Sequence, residues 1–117
     1  MKILTVDDNT KILFAFDVML KKEGCLALKA TTGKEAIRQI ALNQPSAVFL
    51  DVSLPDTDGL IVLAQIKQNN PDLPVIIITG HGSDLIREKA FLAGAFAYLE
   101  KPLSVEKIRN ILNKIRT

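Results

Sequence analysis

Short apolar runs alternate with longer stretches in which apolar side chains recur every three or four residues, and the alternation continues along the whole chain. Ile3-Leu4-Thr5-Val6 is the first run. Residues 10–22 follow with Ile12, Leu13, Phe16, Met19 and Leu20 at helical spacing; Thr10 reads as the N-cap and Gly24 as the stop. The second run, residues 26–30, is the weakest and reads as an edge strand. Thr32 or Gly33 opens a helix carrying Ala36, Ile37, Ile40 and Ala41, and Pro45 separates it from Ala47-Val48-Phe49-Leu50. Gly59 starts a third helix with Leu60, Leu63, Ala64 and Ile66, closed by Asn70-Pro71. The fourth run is Val75-Ile76-Ile77-Ile78-Thr79, followed by a helix over about residues 84–93 that Gly94 stops. The fifth run spans residues 96–100, and Ser104 caps a last helix carrying Val105, Ile108, Ile111, Leu112 and Ile115.

Five strands alternating with five helices predict an α/β fold with a doubly wound parallel sheet. The third and fourth runs are continuously hydrophobic, as strands are when helices cover both faces of a sheet. A length of 117 residues suits one domain over 1–117, and 48% hydrophobic with 24% charged residues suits an ordered globule. The net charge of +2 is spread along the chain, so no basic arm or acidic tail points to nucleic acid. Cys25 is alone, which excludes an internal disulfide and reads as a small apolar residue. The start of the chain lacks a signal-peptide pattern and no apolar segment approaches membrane-spanning length, so a cytoplasmic location is expected.

The polar residues that break these runs fall in one kind of place. Asp7 and Asp8 follow the first run, Asp51 ends the third, Thr79 ends the fourth and Lys101 follows the fifth. Ligands of open parallel sheets bind beyond the carboxyl ends of the strands. Carboxylates gathered there repel unless a cation joins them, and Mg²⁺ commonly takes one or two carboxylates with waters and phosphate oxygens. A divalent ion and an ammonium around a carboxylate suit acceptance of a phosphoryl group, and a carboxylate can serve as its nucleophile. Pro55 and Asp58-Gly59 supply a tight loop after Asp51, leaving a backbone carbonyl free for the metal. Taken singly, each residue has an ordinary reading. Asp7 and Asp8 could cap a helix, Thr79 could be a plain strand residue and Lys101 a surface lysine. His81 reads as a loop residue between Gly80 and Gly82, which read as a hinge.

Together, VDDN (6–9), FLDVSLPDTDGL (49–60), IIITGHG (76–82) and YLEKP (98–102) resemble the receiver domain of bacterial two-component response regulators. The resemblance implies a five-stranded flavodoxin-like sheet in the order 2-1-3-4-5. It implies Asp51 as the phosphoacceptor, served by a sensor histidine kinase or a phosphotransfer protein. Asp8, Asp51 and the Ser53 carbonyl would hold Mg²⁺ directly and Asp7 through water. Lys101 would bind the phosphate and precede a cis proline, Pro102. Thr79 and Tyr98 would form the switch, Tyr98 swinging from an outward to an inward rotamer as Thr79 moves onto the phosphoryl group. The output surface would be the fourth helix, fifth strand and fifth helix, facing an output domain or protein partner that could be transcriptional, with homodimerisation on phosphorylation left open. No contact of this domain with nucleic acid or membrane is expected. Asn9, Cys25 and Ser53 depart from the commonest residues of the family at their positions.

In the fourth helix, Ile86, Ala90 and Ala93 form an inward stripe that leaves Phe91 on a partner or dimer surface. Ile111 is a weaker candidate of the same kind, because Val105, Ile108, Leu112 and Ile115 already make a core stripe. Two rival functions differ in class. A Mg²⁺-dependent phosphatase with an aspartate nucleophile would want a second acid two residues on, where Ser53 stands. A binding module that works without phosphorylation would not need the full set of polar residues at the strand ends.

Overall fold

A computed structural model describes residues 1–116 and shows a five-stranded sheet with helices on both faces. The elements alternate as β1 (Lys2–Val6), α1 (Thr10–Lys22), β2 (Leu26–Ala30), α2 (Gly33–Asn43), β3 (Ala47–Asp51), α3 (Gly59–Asn69), β4 (Val75–Thr79), α4 (Asp84–Leu92), β5 (Ala97–Glu100) and α5 (Val105–Arg116). The sheet order is β2-β1-β3-β4-β5 and every pairing is parallel. The order expected from the resemblance and the doubly wound class expected from the alternation are both observed.

Period-two alternation divides each strand between two cores. Ile3, Phe49, Ile76 and Ile78 pack with Phe16 and Leu20 of α1 and with Ile108, Ile111 and Leu112 of α5. Leu4, Val6, Val48, Leu50, Val75 and Ile77 pack on the other face with Ala36 and Ile40 of α2, Val62, Leu63 and Ile66 of α3 and Ala90 of α4. The rings of Phe16 and Phe49 meet at 5.1 Å with a 50° tilt, which favours the quadrupoles of both. Burial of each large aliphatic side chain contributes about 1.5–3 kcal/mol, and β3 and β4 are buried throughout. The outer strands β2 and β5 are partly exposed, as edges.

Helix starts are set by side chains that accept from orphan amides. Asn9, not Thr10, caps α1: its Oδ1 accepts from Lys11 N at 2.9 Å, and Thr10 is the first helical residue. Thr32, Asp58, Ser83 and Ser104 do the same for α2 to α5. Three inward positions were misassigned by helical spacing alone. Val62 faces the core of α3 whereas Ala64 is exposed, and in α2 Ala41 is exposed. In α5, Ile111 is 6% exposed and belongs to the core, whereas Val105 is 44% exposed. The buried set 108, 111, 112 continues the i, i+3, i+4 stripe, and Val105 stands one turn earlier, in the first turn of the helix. Cys25 is buried, in keeping with its apolar reading. No described helix is long and apolar enough to cross a membrane.

Candidate functional site

Register explains why the acids meet. Val6 pairs with Leu50, so the next residues, Asp7 and Asp51, end neighbouring strands at one rim. Asp7 is 1% exposed and Asp51 4% exposed, whereas Asp8 is exposed at the mouth of the cluster. One carboxylate oxygen from each of Asp7, Asp8 and Asp51 lies within 4.8 Å of the others, a spacing that one small cation can span. Asp7 also braces its own loop: Oδ1 accepts from Asn9 N at 2.9 Å.

Lys101 arrives from the edge strand β5, beyond β4. Its backbone N–H donates to Thr79 O at 2.8 Å just beyond the Thr79–Glu100 pair, which fixes where its side chain starts. Nζ then donates to Asp7 Oδ2 at 2.8 Å and to Asp51 Oδ2 at 3.3 Å. The Lys101–Pro102 peptide bond is cis, as the resemblance implied.

The charges are not fully balanced. Burial and the neighbouring Asp7 charge push the Asp51 carboxyl above its ordinary range, while the Ser53 amide and Lys101 act against the rise. Burial alone would pull the Lys101 ammonium down. Its hydrogen bond to Asp7 and the charges of Asp51 and Asp7 more than offset that and hold it above the usual lysine range. Two buried carboxylates and an exposed third against one ammonium leave an excess of negative charge. All the facing donors are oxygens, which suits a hard divalent cation such as Mg²⁺.

The loop after Asp51 is folded back tightly. Ser53 N donates to Asp51 Oδ1 at 3.2 Å. Gly59 N donates to Val52 O at 2.7 Å, closing the loop without engaging the Ser53 carbonyl. A Cβ on Gly59 would lie 2.2 Å from Asp51 O, so no other residue fits there without displacing the strand end. Asp56, at the loop tip, reaches α2: Oδ1 accepts from Gly33 N at 2.9 Å and Oδ2 from Lys34 N at 3.1 Å. Those two amides hold the Asp56 carboxyl below its ordinary range. Nothing in the local sequence singles out Asp56, because its partners lie 23 and 22 residues away.

Thr79 and Tyr98 make no hydrogen bond to the charged side chains of the cluster among the described residues. By alternation both follow Ile77 on the α4 side of the sheet, whereas Asp7, Asp51 and Lys101 continue the α1/α5 side. Thr79 is buried and its Oγ1 accepts from His81 N at 3.2 Å. His81 itself is exposed. The Tyr98 ring packs against the core under α4, and its hydroxyl is buried with no hydrogen-bond partner among the described residues. The Ser83 backbone is near but outside hydrogen-bond geometry; burial first, then the Glu100 charge, push the phenol above its ordinary range. A Cβ on Gly82 would lie 2.1 Å from that hydroxyl. Tyr98 thus already occupies an inward position, and the outward starting rotamer expected from the resemblance is not the one observed. Gly82 reads better as a roof that must lack a side chain than as a hinge alone.

On α4, Ala90 is buried and Ile86 half-buried, and Phe91 is 44% exposed under the Arg87 guanidinium, 5.5 Å from its ring centroid. Asp84, Arg87, Glu88, Phe91 and Leu92 line an open groove of about 500 Å³.

A family model described as response regulator receiver domain matches residues 3–113. The chain is 34% identical over 105 residues to the DNA-binding transcriptional regulator NtrC of Escherichia coli strain K12, covering 90% of this chain and 22% of that protein. It spans less than a quarter of such relatives' length. It is 33% identical over 114 residues to sporulation initiation phosphotransferase F of Bacillus subtilis strain 168, covering 97% of this chain and 91% of the relative. Among solved structures, the beryllofluoride-activated NtrC4 receiver domain dimer matches with a TM-score of 0.92 and 38% identity, covering 97% of this chain and 94% of that one. The receiver domain of NtrX from Brucella abortus matches with a TM-score of 0.90 and 33% identity, covering 97% and 96%.

Proposed function

The chain belongs to the response regulator receiver domain family, and from that premise we propose that residues 1–117 are a single phosphoacceptor domain in which Asp51 receives the phosphoryl group. Thr117 lies outside the described residues. The observation that carries the reading is the convergence of the Asp7, Asp8 and Asp51 carboxylates within 4.8 Å, with Lys101 Nζ bonded to two of them.

Asp8, Asp51 and the Ser53 carbonyl would hold Mg²⁺, with Asp7 joining through water. When bound, the ion supplies charge neutralisation on the transferring phosphoryl oxygens. Asp51 performs the bond change. A carboxylate oxygen forms an O–P bond as the P–N bond to a donor imidazole breaks, and the imidazole nitrogen keeps the electron pair. Lys101 is already aimed at Asp51 Oδ2 and is positioned to pair with a phosphoryl oxygen there. The new group adds acceptor oxygens at the rim. Thr79, whose hydroxyl is engaged with the His81 amide, can turn to donate to one of them. That movement draws the Gly80–Gly82 loop, the roof over Tyr98, and so biases the α4 and β5 surface.

The donor is a sensor histidine kinase or a phosphotransfer protein in the cytoplasm. The receiver of a transcriptional regulator such as NtrC makes a transcriptional output the favoured partner. A hydrolase is disfavoured because Ser53, two residues past Asp51, has no acid to protonate a leaving alcohol. The test is incubation with acetyl phosphate, with and without Mg²⁺, followed by intact mass. One phosphoryl adduct, dependent on Mg²⁺ and absent in Asp51→Asn, is expected. An unmodified wild type overturns the reading, and sustained turnover of phosphomonoesters replaces it with the hydrolase.

A further inference from the structure

The loop that follows Asp51 is fixed at its base by the Gly59–Val52 hydrogen bond, but its tip is held from another element. Asp56 spans the first two amides of α2, Gly33 and Lys34, and Thr32 takes the third through Glu35 N. Three of the four orphan donors at that helix start are thus satisfied, two of them by a carboxylate that belongs to the loop beside the acceptor. The contact is tight as well as polar. A Cβ on Gly33 would lie 2.7 Å from both Thr57 Cγ2 and Val62 Cγ2, so the bare glycine lets α2 seat directly on the loop and on α3.

We propose that Asp56 is a positioning residue for the metal and phosphoryl site: by clamping the α2 amides it holds the 52–58 loop so that the Ser53 carbonyl faces the acid cluster. The inference rests on the reading of Asp51 and Ser53 given above. A flexible loop has to lose backbone freedom each time it places a carbonyl on an ion. A loop already pinned at both base and tip has lost that freedom on folding. The link also works in reverse. A ligand at Asp51 that prefers the pinned loop must, by reciprocity, strengthen the clamp on Gly33 and Lys34. The start of α2 lies across the sheet from α5 and is not part of the α4–β5 surface, so the state of Asp51 is reported at a second, separate place.

The test uses the whole chain with MgCl2 alone, followed by calorimetry and by amide spectra of ¹⁵N-labelled protein. Wild type is expected to bind Mg²⁺ and to shift the Gly33 and Lys34 amide resonances on saturation. Asp56→Ala is expected to weaken Mg²⁺ binding about three- to tenfold and to abolish the coupled shift. Asp56→Asn, which keeps one accepting oxygen, restores part of both. Gly33→Ala, whose Cβ would press on Thr57 and Val62 while leaving the Asp56 carboxylate in the chain, reproduces the loss and guards against misfolding of the Asp56→Ala variant. Acetyl phosphate labelling at saturating Mg²⁺ should then recover to near the wild-type rate in Asp56→Ala, because affinity and not chemistry is impaired. If Asp56→Ala and Gly33→Ala lower thermal stability while Mg²⁺ affinity stays at the wild-type value, Asp56 is a helix cap only and the proposal is overturned. If wild type itself fails to bind Mg²⁺, the reading of the site falls and takes this inference with it.

Discussion

Lys101 is the single cation that Asp7 and Asp51 share among the described side chains. Its removal leaves two buried acids facing each other with nothing between them. Breaking a fully buried ion pair costs about 3–5 kcal/mol, and the lysine side chain here is 20% exposed, so Lys101→Ala should cost about 2–3 kcal/mol. The loss should be largest without divalent ions and shrink as Mg²⁺ is added, because an ion that binds only the folded state stabilises it by mass action. Urea unfolding with and without Mg²⁺ measures both. A loss that is independent of Mg²⁺ would mean the acids do not share one ion. The meeting of Asp7, Asp51 and Lys101 at one rim was open to a reading of the sequence because it depends on type and order: an acid after a strand, a lysine before a proline. The pairing of Asp56 with Gly33 and Lys34 was not, since nothing in local spacing announces a partner more than twenty residues away.

At the scale of elements, α2 and α4 are secured in different ways. The start of α2 is held by a carboxylate whose folded pKa is depressed, with the Gly33 and Lys34 amides as the causes. A depressed carboxylate contributes stability that is complete above its unfolded pKa, near 3.9, and is lost as pH falls through the lower folded value. Exchange of the Gly33 and Lys34 amides should thus rise relative to the rest of α2 as pH drops below about 4, and Asp56→Ala should remove that pH dependence. A pH-independent pattern in wild type would show that the clamp is not ionic. Helix α4 instead sits on a single fully buried residue, Ala90, and on the packing of Tyr98 beneath the loop that leads into it. Since Tyr98 is the only tyrosine and the chain has no tryptophan, its fluorescence reports this region alone. Gly82→Ala puts a methyl where the hydroxyl lies, so the ring must leave. Its emission should become more accessible to iodide quenching and its phenol should ionise at a lower pH than in wild type, where burial holds it up. Unchanged quenching would place Tyr98 elsewhere in solution. Helical spacing foresaw Ala90 and Phe91 correctly but exchanged Val105 and Ile111, because a stripe read along a helix does not say where the helix runs off the edge of its sheet.

At the scale of the whole molecule, the alternation of runs was enough to give five strands, five helices and the two-faced core, since those follow from period and length. Strand order came through resemblance, because apolar patterns carry no record of which strand lies beside which. The same two-faced sheet sends the charge cluster to one side and Thr79 with Tyr98 to the other. The groove of Asp84, Arg87, Glu88, Phe91 and Leu92 lies on α4, the helix that packs on the Thr79 and Tyr98 side. With beryllofluoride and Mg²⁺ as a phosphoryl mimic, light scattering after size exclusion should show a shift toward dimer. Phe91→Asp should prevent the shift while leaving the Asp51 adduct intact. Dimer formation that persists in Phe91→Asp would move the interface off α4.

The ammonium of Lys101 lies 94 residues beyond Asp7 and 50 beyond Asp51 in the chain, and contacts both. During translation a ribosome releases the two acids well before it releases their counter-charge. A nascent copy therefore carries its acids unneutralised until the fifth strand emerges and joins the fourth. The charge cluster is thus complete only in a molecule whose synthesis has passed that late strand.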